Sequence, residues 1–354
     1  MKLFLPLLLS LMSQAALAQQ TSAALMALLT RYNVPGMQLI YTKGATATAY
    51  NLGVRQAGTS QPVTAATMFE AASLGKEMLA YIALRLHDRN LLDLDKPLVQ
   101  YCAYPRLRGQ PRAARITARM VMAHTAGLPN WAEKPTSPGW KNSALTLKYA
   151  PDSCWNYSGE GYAFLQTALQ HLTGKSLEVL AQAEIFTPLG LKHSSFEWHS
   201  AFAATASAGH DASGQPTPID QFAEPNAGFS LYSTAADYNR FLQAFAKGQG
   251  LKPATARLLR TPATAANRCG QPTSAADPYI AWACGVGLAT TSQGLAQWQW
   301  GDNGNFKGFF MTLPGKQESL LLFTNSANGP LLVEELLQRF FGPGQYWATQ
   351  WLAN

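Results

Sequence analysis

The chain has 354 residues, 47% of them hydrophobic and 13% charged, and carries a formal net charge of +7 at pH 7. This length and apolar content fit one large domain or two closely packed domains and exclude an intrinsically disordered protein. The basic residues form no run or stripe, so no nucleic acid partner is expected.

The chain begins with the features of a secretory signal peptide. Lys2 precedes an apolar run, and residues 16–18 read Ala-Leu-Ala, which are small residues suited to a cleavage site. We expect residues 1–18 to be removed after Ala18, giving a secreted or periplasmic bacterial protein. No later apolar run is long enough to cross a bilayer, so no stable membrane insertion is expected after cleavage.

The first mature segments predict a helix followed by a hairpin. Leucines recur at helical spacing within residues 21–32. Residues 37–42 and 46–52 have the composition of strands, and the turn Lys43-Gly44 joins them.

The next segment combines a serine, a lysine and an amphipathic helix. Apolar residues recur at helical intervals from Lys76 to Arg89, and Ser73 lies three residues before Lys76. A serine and a lysine one helical turn apart share a face, so the amine is placed to take the hydroxyl proton. Backbone N–H groups at the helix start would face an oxyanion. On this motif alone, an N-capping serine and a solvated lysine remain the alternative.

A helix and a long loop follow. The pattern over residues 116–129 predicts a capped helix closed by Gly and Pro. His124 near its end is either a catalytic base or, as we prefer, a histidine that fixes the turn from helix to loop. The loop over residues 129–153 is a candidate wall of a site, and Trp131 and Trp140 either line a pocket there or simply pack.

The remaining pattern places helices in the middle of the chain and strands near its end. Helices are predicted over residues 161–174, 177–186, 234–246 and 331–341, and strands over 282–289, 296–300, 308–313 and 319–324. This order predicts an α+β fold, in which an antiparallel sheet flanked by terminal helices carries an inserted all-helical region. We expect a sheet domain formed by residues 19–72 and 285–354 and a mainly helical domain formed by residues 73–284.

Four cysteines lie in the mature chain, at positions 102, 154, 269 and 284. Export makes disulfides feasible, and an even count fits two of them. Spacing does not determine connectivity; our prediction is Cys102 with Cys154 and Cys269 with Cys284, chiefly because the second pair closes a short loop. No ligand spacing favours a metal site.

Two further motifs follow Ser73-Leu74-Gly75-Lys76. Residues 156–162 read Asn-Tyr-Ser-Gly-Glu-Gly-Tyr, and residues 300–309 read Trp-Gly-Asp-Asn-Gly-Asn-Phe-Lys-Gly-Phe. In this order, the three motifs resemble those of the serine β-lactamase and penicillin-binding-protein superfamily. The likeness is greatest to its branch of class C β-lactamases, esterases and D-Ala-D-Ala carboxypeptidases. It covers nearly the whole mature chain.

The resemblance implies a fold and a set of site residues. A helical domain would lie against an antiparallel sheet, with the active site at their seam. Ser73 would form an acyl-enzyme, while Lys76 and Tyr157 would share the proton transfers. The oxyanion would lie between the backbone N–H groups of Ser73 and Asn305, which follows Gly304. No cofactor or metal is implied.

Two positions depart from the pattern of that branch. Gly159 stands where the branch usually carries the asparagine of Tyr-x-Asn, so a group that holds the acyl side chain is missing. Asp302 stands where the branch usually carries a lysine or histidine that helps to bind a substrate carboxylate. An ionised Asp302 would repel such a carboxylate, raise the pKa of Tyr157 and keep Lys76 protonated.

Several roles for Asp302 stay open. Lys307 could offset its charge, or Asp302 could pair with Lys76 or receive an amine of the substrate. In the simplest alternative, Asp302 turns away and only caps the glycine-rich turn.

The sequence therefore predicts an exported serine hydrolase that acts through an acyl-Ser73 intermediate on a small ester or amide. No Gly-x-Ser-x-Gly, His-Glu-x-x-His or phosphate-binding glycine motif favours another hydrolase or nucleotide enzyme. The alternatives are a true class C β-lactamase or D-Ala-D-Ala carboxypeptidase, and a catalytically weakened protein that binds peptidoglycan-derived fragments.

Overall fold

A computed structural model describes residues 19–353, so the predicted signal peptide lies outside the described residues. The strands are β1 Gly36–Lys43, β2 Thr46–Gly53, β3 Phe69–Ala72, β4 Gly209–His210, β5 Pro216–Thr217, β6 Leu231–Ser233, β7 Thr264–Ala265, β8 Ile280–Trp282, β9 Gly287–Thr291, β10 Gly294–Asp302, β11 Lys307–Leu313 and β12 Glu318–Thr324. Eight of them form one sheet in the order β2-β1-β12-β11-β10-β9-β8-β7. Every neighbouring pair in it is antiparallel.

Helices cover the sheet and fill the middle of the chain. They are α1 over residues 19–31, then α2 Gly75–Asp88, α3 Ala118–Met122, α4 Gly159–Thr173, α5 Leu177–Ala181, α6 Thr187–Leu189, α7 Ala235–Lys247, α8 Pro253–Arg257, α9 Val333–Phe341 and α10 Trp347–Ala353. The predicted α+β class is confirmed: an antiparallel sheet is flanked by terminal helices, and helices dominate between β2 and β7.

Alternation along the central strands gives the sheet two buried faces. Phe310 of β11 and Leu321 of β12 join a core with α2, α4 and α7, whereas Phe309 and Leu322 join a second core with α1, α9 and α10. Successive side chains of a strand point to opposite faces, so strands that are apolar at consecutive positions need cover on both sides.

The expected boundary between the two domains stays a prediction. The sheet itself includes β7 and β8, which lie inside residues 73–284. Within the described residues, no helix combines the length and apolar character needed to cross a membrane.

Two predicted elements differ from those observed. The helix expected over residues 116–129 is limited to α3, which Thr117 caps by accepting a bond from the Met120 N–H, and His124 beyond it has a positive φ of 59°. The strand expected over residues 282–289 is two strands, because a turn bonds Ala283 to Val286 and separates β8 from β9. In both cases buried apolar residues continue from the helix or strand into the turn that follows it. The hydrophobic pattern therefore does not mark where the element ends.

The predicted disulfide connectivity is wrong. Cys154 is bonded to Cys269, while Cys102 and Cys284 are free thiols in the interior. The observed pair forms because the chain around Trp155 lies beside the chain around Arg268: the Trp155 N–H donates to the Asn267 carbonyl, and the Cys269 N–H to the Trp155 carbonyl. This disulfide is consistent with an oxidising compartment.

Candidate active site

The serine of the first motif lies at the seam between sheet and helices. β3 ends at Ala72, whose φ is 52°, and α2 begins at Gly75, so Ser73 lies in the turn between them. β10 approaches this turn so closely that a Cβ added at Gly301 would lie 2.5 Å from the Ala71 carbonyl oxygen. Only glycine permits this approach, which brings the end of β10 beside Ser73.

The lysine of the motif contacts the serine directly. Lys76 Nζ lies 2.9 Å from Ser73 Oγ and donates to the carbonyl oxygen of Gly228 at 3.0 Å. The Ser73 hydroxyl donates to the same carbonyl at 3.0 Å. The lysine side chain is fully buried, which rules out the interpretation of Lys76 as a solvated charge.

Burial prepares this amine to accept a proton. Removal from water lowers the pKa of Lys76 to about 7, and this effect exceeds the opposing influence of the neighbouring Glu77 carboxyl. Glu77 is itself fully buried, which raises the pKa of its carboxyl to about 8. Near neutral pH, a substantial fraction of Lys76 is therefore the free amine.

Tyr157 lies over the lysine amine. Lys76 Nζ is 4.9 Å from the centre of the Tyr157 ring, and the ring packs on Trp300 and His124 with centroid distances of 4.7 and 4.4 Å. Its buried hydroxyl has no partner at hydrogen-bond geometry among the described residues. Burial raises the pKa of Tyr157; the nearby Ser73 hydroxyl lowers it, while Glu77 and Asp302 raise it further. The ground-state group is thus a neutral phenol.

His124 fixes the segment that carries Tyr157. Its Nδ1 accepts from the Ser158 N–H at 3.1 Å, and its carbonyl accepts from the Asn156 N–H at 2.8 Å. Burial lowers the pKa of the imidazole, and the Lys76 charge lowers it further, so the ring is neutral. These bonds support the preferred interpretation of His124 as a residue that holds the turn.

Sequence reasoning missed Gly228, whose carbonyl accepts from both Ser73 and Lys76. The Gly228 N–H donates to Asn226 Oδ1 at 2.8 Å, which orients that peptide. A backbone carbonyl leaves no signature in the side-chain sequence, so no pattern points to it.

Ser73 opens into a cavity of about 360 Å³. Its walls include Tyr157, Asp302, Asn303, Trp131 and Phe229, among other residues. Gly304 and Asn305 are not part of the lining, and the Asn305 N–H donates to the Asn303 carbonyl at 3.1 Å. An oxyanion role for Asn305 stays a prediction, and it requires this turn to rearrange.

Asp302 forms an ion pair with Lys307 across the hairpin of β10 and β11. Its carboxylate also accepts from the Gly304 N–H at 2.7 Å. Among the alternatives left open by the sequence, the structure thus shows two together, a capped turn and a charge offset by Lys307. It shows no pairing of Asp302 with Lys76, whose Nζ contacts Ser73 and Gly228.

Trp131 occupies the space beside Gly159. A Cβ added at Gly159 would lie 2.2 Å from the Trp131 ring, and one added at Gly228 would lie 2.7 Å from it. The indole therefore fits between two glycines. A side chain at position 159, such as the asparagine of related motifs, is incompatible with the indole in this place.

A buried ion pair anchors the loop that carries Trp131. Arg106 and Glu160 form two hydrogen bonds, of 2.5 and 3.0 Å, and both side chains are almost fully buried. Glu160 Oε1 also accepts from the Ala132 N–H and from Trp140 Nε1. The loop is thus tied to the first turn of α4, directly after Tyr157.

Comparison with known proteins identifies the family. A family model described as Beta-lactamase matches residues 18–339. The chain belongs to the beta-lactamase family. The resemblance inferred from the three motifs is thereby confirmed, and the family is one of serine hydrolases.

Relatives in this beta-lactamase family carry different activities in their names. Penicillin-binding protein 4 of Amycolatopsis lactamdurans is 25% identical over 341 residues, which cover 89% of this chain and 87% of that protein. Esterase EstB of Burkholderia gladioli is 25% identical over 346 residues, covering 80% and 84%. A crystal structure of a beta-lactamase/D-alanine carboxypeptidase from Pseudomonas syringae, 18% identical, covers 91% of this chain and 97% of its own with a TM-score of 0.76. That similarity shows the shared fold.

Proposed function

We propose that this protein is an exported serine hydrolase that cleaves a small ester or amide through an acyl-Ser73 intermediate. The observation that carries the proposal is the 2.9 Å contact between Ser73 Oγ and the buried amine of Lys76. A nucleophilic serine needs a nearby base whose pKa is close to the working pH, and the pKa of Lys76 is lowered to about 7.

Acylation follows from these positions. The neutral amine accepts the Ser73 proton across the 2.9 Å contact while Oγ attacks the carbonyl carbon of the substrate. The tetrahedral intermediate then collapses, and the leaving oxygen or nitrogen takes a proton from the Tyr157 phenol, which Lys76 reprotonates. This assignment makes Tyr157 the proton donor, because its raised pKa keeps the proton on the phenol.

Deacylation uses the same groups in reverse. Water replaces the leaving group beside Tyr157 and attacks the acyl carbonyl, and the free amine of Lys76 takes up its proton through the phenol. Lys76 returns this proton to Ser73 Oγ as the bond between Oγ and the acyl carbon breaks, and the acid product departs.

Detection of the acyl-enzyme tests the proposal. Mixing the protein with p-nitrophenyl acetate should give a burst of p-nitrophenol and a transient mass increase of one acetyl group, located on the peptide that contains Ser73. An adduct on any other residue, or turnover with no covalent species under rapid acid quench, contradicts the proposal.

The lowered pKa of Lys76 predicts an acidic limit to activity. Below pH about 7 the amine is protonated and cannot accept the serine proton, so kcat/KM for a neutral ester should fall about tenfold per pH unit. Above that pH the amine is free and the profile should level off. The check is a pH profile of kcat/KM from pH 5 to 9, with residual activity measured at pH 8 to exclude unfolding; a flat profile between pH 5.5 and 8 refutes Lys76 as the base.

The Asp302–Lys307 ion pair predicts how the charges beside the site affect its preference for substrates that carry a carboxylate. Asp302→Asn leaves Lys307 without a counter-charge, and Lys307→Met leaves Asp302 without one. We expect the first variant to raise, and the second to lower, the preference for an acidic substrate over its methyl ester by roughly five- to tenfold. The measurement is the ratio of kcat/KM for a matched pair of substrates that differ only in one carboxylate. Changes in the same direction for both variants contradict this electrostatic role.

The ratio of kcat/KM for the acidic substrate to that for its methyl ester also distinguishes the proposed hydrolase from the main alternative. A D-Ala-D-Ala carboxypeptidase or β-lactamase must accept a carboxylate, so the unmodified protein would then prefer the acidic substrate.

The proposal that the protein is exported rests on the predicted signal peptide and on the Cys154–Cys269 disulfide.

A further inference from the structure

A groove of about 320 Å³ lies next to the catalytic cavity. Trp300 and Asp302 line both spaces, so the two adjoin each other at the end of β10. The groove runs between the outer face of the sheet and the C-terminal helices, and its other walls include Phe309, Leu322, Leu331, Val333 and Leu352.

The groove is apolar beyond its mouth. The charged residues of its lining, Asp302 and Lys307, are paired with each other. The hydroxyl of Thr349 donates to Glu334 at 2.5 Å, so this polar group is also satisfied. Leu331, at the rim of the groove, is 54% exposed.

The cavity also continues past Phe222 and Phe229 on its other side, into a hollow of similar size. That hollow is lined by the ion pair of Lys141 with Glu224, by two hydroxyl side chains and one amide side chain, and by five apolar residues that include Phe222 and Phe229. An alkyl chain that entered it would lie partly beside charged and polar groups and would gain less from burial than in the groove at β10. The groove at β10 is therefore the more apolar of the two exits.

The position of Tyr157 decides which part of the substrate points to the groove. In the proposed mechanism this phenol protonates the leaving group, and its ring packs on Trp300 at 4.7 Å. A leaving atom that takes its proton from the phenol would lie near the contact between Tyr157 and Trp300, and Trp300 lines the groove. The chain attached to that atom would then extend over Trp300, away from the acyl carbonyl.

We infer that the groove binds an alkyl chain in the leaving group, so the substrate is an ester or amide of a small acid with an apolar alcohol or amine. This inference rests on the proposed serine hydrolase function. Attack by Ser73 releases the alcohol or amine with the proton from Tyr157, and water later releases the acid.

Two series of neutral esters test the inference. In the first, the acyl group is acetyl and the alcohol lengthens from methanol to octanol; in the second, the alcohol is methanol and the acid lengthens. The readout is kcat/KM, because it reports the steps through acylation, when the leaving group is still attached. We expect kcat/KM to rise roughly two- to fourfold per added methylene in the first series until the groove is filled, and to change little in the second. A rise only in the second series overturns the inference.

A charge introduced at the rim of the groove should remove the preference for esters of long-chain alcohols. Leu331→Asp puts a carboxylate at the groove, and we expect it to lower kcat/KM for octyl acetate at least about tenfold while methyl acetate changes less than twofold. Leu91→Asp is the matched control, because Leu91 is 49% exposed and lies outside the groove. Equal losses on both esters, or the same effect from Leu91→Asp, refute the groove as a subsite.

The failures of the two proposals are distinguishable. If methyl acetate and p-nitrophenyl acetate give no acyl-Ser73, the hydrolase proposal itself fails. If both acylate Ser73 but kcat/KM is independent of the alcohol chain, only the groove inference fails.

Discussion

Replacement of Ser73 by alanine is expected to abolish acyl-enzyme formation and to lower kcat/KM at least about 10³-fold. Without Oγ no covalent bond to the substrate carbonyl can form, and Lys76 has no serine proton to accept. Hydrolysis of p-nitrophenyl acetate gives the rate, and intact-protein mass after treatment with a phosphonate probe gives the fraction labelled.

Ser60→Ala is the control for this experiment, since Ser60 is an exposed serine in the segment between β2 and β3. It should keep the full rate and full labelling. Residual turnover in Ser73→Ala at more than a few per cent of the wild-type rate contradicts the assignment of the nucleophile. Loss of thermal stability in the variant would make the labelling result uninterpretable, so both variants are compared by thermal melts.

Glu160→Gln is expected to lower the free energy of unfolding by about 3–5 kcal/mol. The substitution keeps the shape of the side chain but leaves the Arg106 guanidinium buried without a counter-charge. It also weakens the bonds that Glu160 accepts from the Ala132 N–H and from Trp140. The check is urea unfolding followed by tryptophan fluorescence.

Asp95→Asn provides the matched control for Glu160→Gln. Asp95 also forms two hydrogen bonds with an arginine, Arg119, but this pair is partly exposed. Exposed ion pairs contribute at most about 1 kcal/mol, so the control should change stability little. Similar losses in both variants would show that burial does not decide the contribution of the Arg106–Glu160 pair.

Sequence reasoning succeeded where a contact or an element depends on spacing along the chain. The turn between Ser73 and Lys76 follows from their separation by three residues, and the hairpin and central strands follow from alternation. The family likeness supplied Tyr157, which lies far away in sequence but contacts the lysine amine through its ring.

The sequence failed where contacts are set by tertiary structure. The disulfide joins Cys154 to Cys269, 115 residues apart, because two backbone segments align beside Trp155. Likewise the shared acceptor of the site is the carbonyl of Gly228, which no side-chain pattern encodes. Pairing of Asp302 with Lys307 was one of several open alternatives until the hairpin register was known.

The placement of Trp131 between two glycines restricts the order in which substitutions can accumulate. Any side chain added first at Gly159 or Gly228 collides with the indole, so such single changes should be strongly unfavourable. The change at Gly159 becomes acceptable once a smaller residue replaces Trp131, so positions 131 and 159 are epistatic, whereas a Cβ at Gly228 would still lie 2.9 Å from Asn226 Oδ1. A mutational route from this site to one that carries an amide at position 159 passes first through loss of the tryptophan.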